Sequence, residues 1–341
     1  MIVALDAQLS VGTATGIGVY QRDLAAALTA CGVSVRALHA EWLNPWRFDR
    51  RILWDQVLLP LAIARSGAAV AHATAGTLPL IRPRLPVVVT VHDMAWMRVQ
   101  GHTKAYARAY FGAAMRRAYR SAAAVIVDSA FSRDEYLALS GDSRVPRVVY
   151  PGVDERYAAI SRRPDAAPFA LVVGTVEVRK NLLLAIAAAA AIPELSIVAV
   201  GPPTPYADVV RARVAALGLG RRVVLRGYVD RATLDDLYGR ATLALVPSRY
   251  EGFGYAVAEA RCAGVPFVAA RGSSLTEVAE DAGVLVDPDD VDGWIDAIRT
   301  LLADRSGAEA RAAIDRTGAH ERFRWTTAAA ALQEIYASAI R

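Results

Sequence analysis

Several residue types are scarce in this chain, and each shortage excludes something. Only two cysteines occur in 341 residues, Cys31 and Cys262. Far apart in an apolar sequence, they supply neither a disulfide framework nor a metal-binding spacing, so free thiols in a reducing, cytoplasmic compartment are expected. The longest apolar run, Leu182 to Val200, is broken by Pro193 and Glu194. It reads as an Ala-rich helix followed by a strand, not as a membrane span. MIVAL leads straight into Asp6 as a first strand, with no secretory leader pattern. Asp287-Pro-Asp289 imitates a metal-binding D-x-D but lacks the glycine of a calcium loop. It reads as a strand end and the cap of a helix starting near Val291, and no metal is expected. Lysine is almost absent: of 39 basic residues all but Lys104 and Lys180 are arginine.

What is present fits a globular α/β protein: 54% hydrophobic residues, rich in Ala and Val, in a chain long enough for two domains with separate cores. The charge is uneven. Residues 1–165 hold 20 Lys+Arg against 13 Asp+Glu, and residues 166–341 hold 19 against 21. A basic first half suits an anionic partner, or simply an Arg-rich solvated surface. Residues 98–120 mix Arg98, Lys104, Arg108, Arg116, Arg117 and Arg120 with Tyr106, Tyr110, Phe111 and Tyr119. Such a stretch either rests on an anionic lipid surface or buries its aromatics beneath a solvated face.

Alternating strand and helix patterns run throughout. Strands are expected at residues 1–5, 33–37, 70–72 and 87–91, and a helix at Trp54–Ser66. After the first strand, Gly12, Gly16 and Gly18 lead into a helix from Val19 to Ala30. The spacing is not the dinucleotide fingerprint, but glycines ahead of a helix tolerate an anion or serve as a plain turn. VVVTV ends in His92 and Asp93, at the carboxyl end of a strand, where open α/β sheets bind ligands. Asp93 is a site residue or the cap of the next turn. The polar segment Ser161–Pro168 is expected to link domains 1–162 and 163–324, with a final helix, 325–341, crossing back to the first domain. In GTVEVRKN, Arg179 and Lys180 fall at a helix start, where the helix dipole disfavours cations unless an anion lies between.

The organising stretch is SRYEGFGYAVAEARCAGVPFVAA, residues 248–270. Glu251 precedes a Gly252-Phe253-Gly254 bend, Glu259 lies inside the helix that follows, and Gly264 and Pro266 stop that helix. A negatively charged ligand against the helix start would be bracketed by two carboxylates.

Glu251 to Glu259 resembles the E-x7-E signature of retaining glycosyltransferases of family 4, and the similarity extends through the glycines, the proline and the next strand. TGIGVY, VHD and GTVEVRKN resemble further motifs of that family, so most of the chain is covered. One departure is Thr175, where many members carry an arginine. The resemblance implies a GT-B fold, α/β with two Rossmann-like domains facing a central cleft. It further implies metal-independent transfer of a sugar, with retention, from a nucleotide sugar to a glycan or lipid-linked acceptor. No separate cofactor is implied; GDP-mannose is the favoured donor. Glu251 and His92 would position the sugar as the cleft closes. Arg179, Lys180 and the amides of Phe253 and Gly254 would hold the diphosphate. Glu259 and Val229 would meet the nucleoside, and Gly16 and Gly18 would lie near acceptor and phosphate. A cytoplasmic location, peripheral at the inner membrane face, would suit a lipid-linked acceptor. The rival readings are a GT-B-fold sugar-nucleotide epimerase and a non-enzymatic nucleotide- or nucleic-acid-binding protein; no nucleic-acid partner is expected on the favoured reading.

Overall fold

The computed structural model describes residues 1–12, 16–44, 47–98 and 109–341. The chain divides into two compact units, Met1–Gly152 with Arg324–Arg341, and Val153–Phe323.

The first unit holds six parallel strands: β1 (Ile2–Asp6), β2 (Ser34–Leu38), β3 (Val70–Ala73), β4 (Val87–Val91), β5 (Ala124–Val127) and β6 (Arg147–Val148), ordered β2-β1-β3-β4-β5-β6. A parallel sheet must be covered on both faces, and the valine-rich strands meet that demand. β4 is buried along its whole length; Val87, Val89 and Val91 join one cluster with Trp54, Ile63 and Met115, and Val88 joins the other with Leu24, Leu332 and Tyr336. Side chains alternate across a strand, so one apolar run serves two cores. Each such valine contributes about 1.5–3 kcal/mol.

The helices Ile17–Ala30 and Trp325–Ile340 cover the second face. Gly152 lets Trp325, the first residue of the second of these helices, come close, since a Cβ there would lie 2.3 Å from Trp325 Cγ. The first face is covered by a helical run from Phe48 to Arg65 with a π-helical turn at Trp54–Leu58. It begins a turn and more before the expected Trp54, because Arg51, polar by sequence, is buried and paired with Asp55 at 2.9 Å. In the stretch 98–120, Arg98 pairs with Glu135, and Tyr110, Phe111 and Tyr119 turn into the core. Lys104, Tyr106 and Arg108 lie outside the described residues.

The second unit holds β7 (Phe169–Val173), β8 (Ser196–Val200), β9 (Val223–Gly227), β10 (Leu243–Val246), β11 (Phe267–Ala270) and β12 (Val284–Val286), ordered β12-β11-β10-β7-β8-β9. All pairings are parallel. The chain winds outward from β7 to β9, then returns to β10 on the other side of β7. The strand order therefore switches between β7 and β10, where loops leave in opposite directions and open a crevice at the carboxyl ends. Both units are doubly wound α/β sheets, the class read from the sequence.

Ser161–Pro168 is not a free linker. Arg162 donates to the carbonyls of Tyr238 and Ala241 and pairs with Glu309, and Arg163 N–H donates to the Gly239 carbonyl. The charged composition suggests a tether, but the guanidinium satisfies carbonyls at the end of the helix Arg231–Arg240 and docks the segment on the second unit.

Candidate functional site

The switch crevice of the second unit gathers the residues singled out around Glu251. β7 runs into Gly174 and a short loop, then a 3-10 turn at Val178–Lys180 carries Arg179 and Lys180 just ahead of the helix Leu182–Ala191. From the other side, β10 runs into Pro247, Ser248 and Glu251. Lys180 Nζ lies 2.5 Å from Glu251 Oε1, and Arg179 Nη1 lies 3.0 Å from Oε2. Arg179 also donates to the Tyr250 carbonyl at 2.9 Å and pairs with Glu177 at 2.7 Å. Gly174, Thr175, Lys180, Pro247 and Ser248 line a hollow between the two loops.

Burial pushes the Glu251 carboxyl up, but Lys180 and Arg179, helped by a hydrogen bond with Ser248, outweigh it and hold it at about 2. The carboxylate is thus ionised while buried. The sequence argument took the adjacent cations as a sign of a bound anion; in the structure the first anions they meet are Glu251 and Glu177. The four side chains balance in charge.

Gly254 starts the helix Tyr255–Ala263 in a left-handed conformation, φ 95°, and a Cβ there would stand 2.6 Å from Leu275 Cδ2. Phe253 is buried, its ring edge-on to Tyr255 and Phe323. The Ser274 hydroxyl donates to the Glu251 carbonyl at 2.9 Å, tying the next loop to the bend.

Glu259 is held by two tyrosines that the sequence reading missed. Tyr238 OH donates to Oε2 at 2.8 Å, and Tyr157 hydrogen-bonds the same carboxylate. Burial pushes the Glu259 carboxyl up, and the tyrosine donors only partly offset it. The two rings meet edge-on at 5.3 Å, and Arg156 lies over Tyr157 at 4.6 Å while donating to its hydroxyl. No local pattern marked the tyrosines: Tyr238 sits beside Leu234 and Leu237 in TLDDLYGRA, and Tyr157 beside two alanines. Val229 is half-buried in the turn before the helix Arg231–Arg240, which Asp230 caps.

In the first unit, Gly16 caps the helix Ile17–Ala30 at φ 49°, and Gly18 sits inside that helix rather than in the loop before it. His92 Nδ1 lies 2.5 Å from Asp128 Oδ2, and Nε2 lies 2.7 Å from the Thr74 carbonyl. The Thr74 carbonyl can only accept, so Nε2 carries a proton, and an ionised Asp128 takes a second from Nδ1. Burial pulls the ring's pKa down, but Asp128 outweighs that and the net shift is upward. A sugar hydroxyl would reach either nitrogen only where one of these bonds is given up. Asp93 accepts from Ala95 N–H at 3.0 Å, as a cap of the next turn. The helix after β12 is capped by Asp290 rather than by Asp287 or Asp289. Among the described residues, no group of three or more His, Cys, Asp or Glu is placed to hold a metal ion, and no helix is long and apolar enough to cross a membrane.

Comparison with known proteins follows the two units. Residues 153–321 match the family model "Glycosyl transferases group 1", and residues 14–157 match "Glycosyltransferase Family 4". A D-inositol 3-phosphate glycosyltransferase of Xylanimonas cellulosilytica is 37% identical over 184 residues, 52% of this chain and 44% of the relative. A glycogen synthase of Mycobacterium tuberculosis is 31% identical over 267 residues, 75% of this chain and 64% of the relative. The chain spans less than two thirds of the length of either. Among solved structures, sucrose-phosphate synthase of Thermosynechococcus elongatus superimposes with a TM-score of 0.82 at 22% identity over 98% of both chains. HepE of Anabaena, solved with UDP-glucose, does so with a TM-score of 0.78 at 20% identity over 99% of both. At these identities the likeness speaks for the fold alone. With its two halves matched by the two family models, and each half a doubly wound parallel sheet, the chain belongs to the family 4 glycosyltransferases of GT-B fold.

Proposed function

We propose that this protein transfers a hexosyl group, with retention and without a metal ion, from a nucleoside-diphosphate sugar to a hydroxyl of a glycan or glycolipid. The observation that carries the reading is the convergence of Lys180 and Arg179 on Glu251 at the switch crevice, beside the start of the helix Tyr255–Ala263. Charge counting alone would not attract a diphosphate there, because Glu251 and Glu177 offset the two cations. Orientation supplies the attraction. An ammonium has three donors; Glu251 takes one from Lys180, leaving two to turn toward phosphate oxygens. The helix N-terminus adds oriented amides near Gly254. As the sugar–phosphate bond breaks, negative charge builds on the leaving diphosphate, and fixed donors aimed at it stabilise the transition state more than the ground state.

In this assignment Glu251 holds Lys180 and Arg179 in place and faces the sugar, and Glu259 accepts hydrogen bonds from the ribose hydroxyls. The turn containing Val229 meets the base. His92 is proposed to act near the sugar through its charge and ring edge, since its nitrogens serve Asp128 and Thr74. The donor favoured from sequence is GDP-mannose; UDP-glucose, bound in HepE, is its direct competitor.

A thermal-shift panel of UDP, GDP and dTDP and their sugars, run in EDTA, tests the proposal. A specific ligand at a hundredfold excess over its Kd stabilises the fold by about 2.7 kcal/mol. Stabilisation by one nucleoside diphosphate and its sugar in EDTA is the expected result. A melting temperature that no member of the panel moves overturns the reading.

A further inference from the structure

On the outer side of the helical run Phe48–Arg65, the first unit exposes an apolar surface that its own fold does not use. On the helical run Phe48–Arg65, Leu53, Val57 and Leu61 follow one another at four-residue intervals, about one turn each, and all three face solvent. The opposite side of that run, Trp54, Leu59 and Ile63, is buried in the core. A surface helix ordinarily turns polar residues outward, so this run is apolar on both sides.

A second element extends the stripe. Gln56 donates to the Leu78 carbonyl at 3.1 Å and accepts from Leu80 N–H at 2.8 Å, which fixes the following loop beside the helix. That loop presents Leu80, 52% exposed, and Ile81, 81% exposed, the latter as open as any large hydrophobic residue in the described chain. Arg82 and Arg84 follow directly, and Arg65 closes the helix; all three are exposed. Among the described residues, Arg65, Arg82 and Arg84 form no ion pair. Exposed Asp49, at the start of the same helical run, is paired with Arg47. Buried Asp55 is neutralised by Arg51.

We propose that this surface docks on an anionic phospholipid bilayer, with Leu53, Val57, Leu61, Leu80 and Ile81 entering the headgroup–acyl boundary and Arg65, Arg82 and Arg84 meeting lipid phosphates. Charge decides the occupant. A second copy of this chain would bring its own arginines against these, and like charges placed together oppose association. A bilayer carrying phosphatidylglycerol supplies the complementary sign, and each arginine near the surface adds to the attraction. The five apolar side chains add a contribution that salt does not screen. The surface is distinct from residues 98–120, where the sequence suggested lipid contact and where the described aromatics turn inward.

The test is co-sedimentation of the full chain with vesicles of pure phosphatidylcholine and vesicles containing a third phosphatidylglycerol, at low and high salt. Preferential binding to the anionic vesicles is expected, with part of it persisting at high salt. In a variant combining Leu53→Ser, Val57→Ser and Leu61→Ser the salt-resistant part should vanish, and Arg82→Glu with Arg84→Glu should weaken binding at least tenfold. All of these side chains are exposed, so circular dichroism and melting temperature should match the parent in both variants, and donor binding should be unchanged. No binding to either vesicle overturns the proposal, as does binding unaffected by both variants. A parent that sediments as a dimer, and becomes monomeric in the serine variant, also overturns it and assigns the surface to a second copy.

Discussion

Removing the ammonium of Lys180 tests the donor-site assignment most directly, because the structure fixes what is left behind. In the parent, Arg179 and Lys180 balance Glu177 and Glu251. In Lys180→Ala the site keeps one cation against two carboxylates, and Glu251 stays buried beside the proposed diphosphate. Two losses then add. Hydrogen bonds from a charged donor contribute about 1.5–3 kcal/mol, and the uncompensated carboxylate repels the incoming anion. A loss of at least 3 kcal/mol, more than a hundredfold in Kd, is expected for UDP or GDP by titration calorimetry. The bare nucleoside, which lacks phosphate, should lose less than threefold. Stability without ligand is worked from the same pair. Glu251 is held at about 2 against an ordinary 4.5, which corresponds to about 3 kcal/mol of linked stability at neutral pH as an upper figure. A depressed carboxyl contributes fully above pH 4.5 and loses that contribution as pH falls toward 2. Lys180→Ala should therefore lower the urea midpoint at pH 7 and flatten the acid-unfolding profile between pH 4.5 and 2. With Arg179 still present, the loss of unfolding free energy should be about 1–3 kcal/mol, below the range for stripping a buried charge of its only partner. If diphosphate and nucleoside affinities fall equally, or neither falls, the pyrophosphate does not lie against Lys180 and the reasoning fails.

Three further outcomes are expected. In Tyr238→Phe, Glu259 loses a 2.8 Å donor; Kd for the preferred nucleoside diphosphate should rise about fivefold and the preference over its 2′-deoxy analogue should shrink, as competitive titration with both ligands would show. His92 should remain an imidazolium above pH 6.5 by NMR titration, and Asp128→Asn should bring its pKa below that value, since burial alone pulls it down. A raised histidine stabilises the fold fully below its unfolded pKa of about 6.5 and loses that contribution as pH rises through the folded value, so parent and variant should converge in stability at alkaline pH. Gly254→Ala should cost about 2–4 kcal/mol in chemical denaturation, because its φ of 95° and the 2.6 Å contact with Leu275 both resist a Cβ, whereas Gly12→Ala, at φ 75° with open space around it, should cost about 1 kcal/mol.

How much of this was legible in the sequence depended on whether a feature is local. The strands were, because a parallel strand buried on both faces must be a short valine-rich run, as VVVTV is. Lys180 and Glu251 were, because rarity in one case and a glycine bend in the other mark them without reference to a partner. The linker was misread for the converse reason: SRRPDAAP has the composition of a tether, and only the carbonyls at the end of a helix far along the chain show what Arg162 is for. His92 and Asp128 are the sharper case. Each follows a strand, and nothing in VIVDS alone marks Asp128. Yet Val91 pairs with Val127 across β4 and β5, so the residues that follow them are brought side by side. Once the strand order is known, the His–Asp pair follows from register with no further information. The tyrosines over Glu259 do not yield even to that, since they come from helices whose contact with the Glu259 helix is decided by packing. A sequence reading thus recovers a candidate site's chain-local members first and its register-determined neighbours once topology is fixed. The residues that orient a carboxylate from a neighbouring helix come only with the structure, which is why Glu259 was placed correctly on its helix while the groups that decide what it can still accept were not seen.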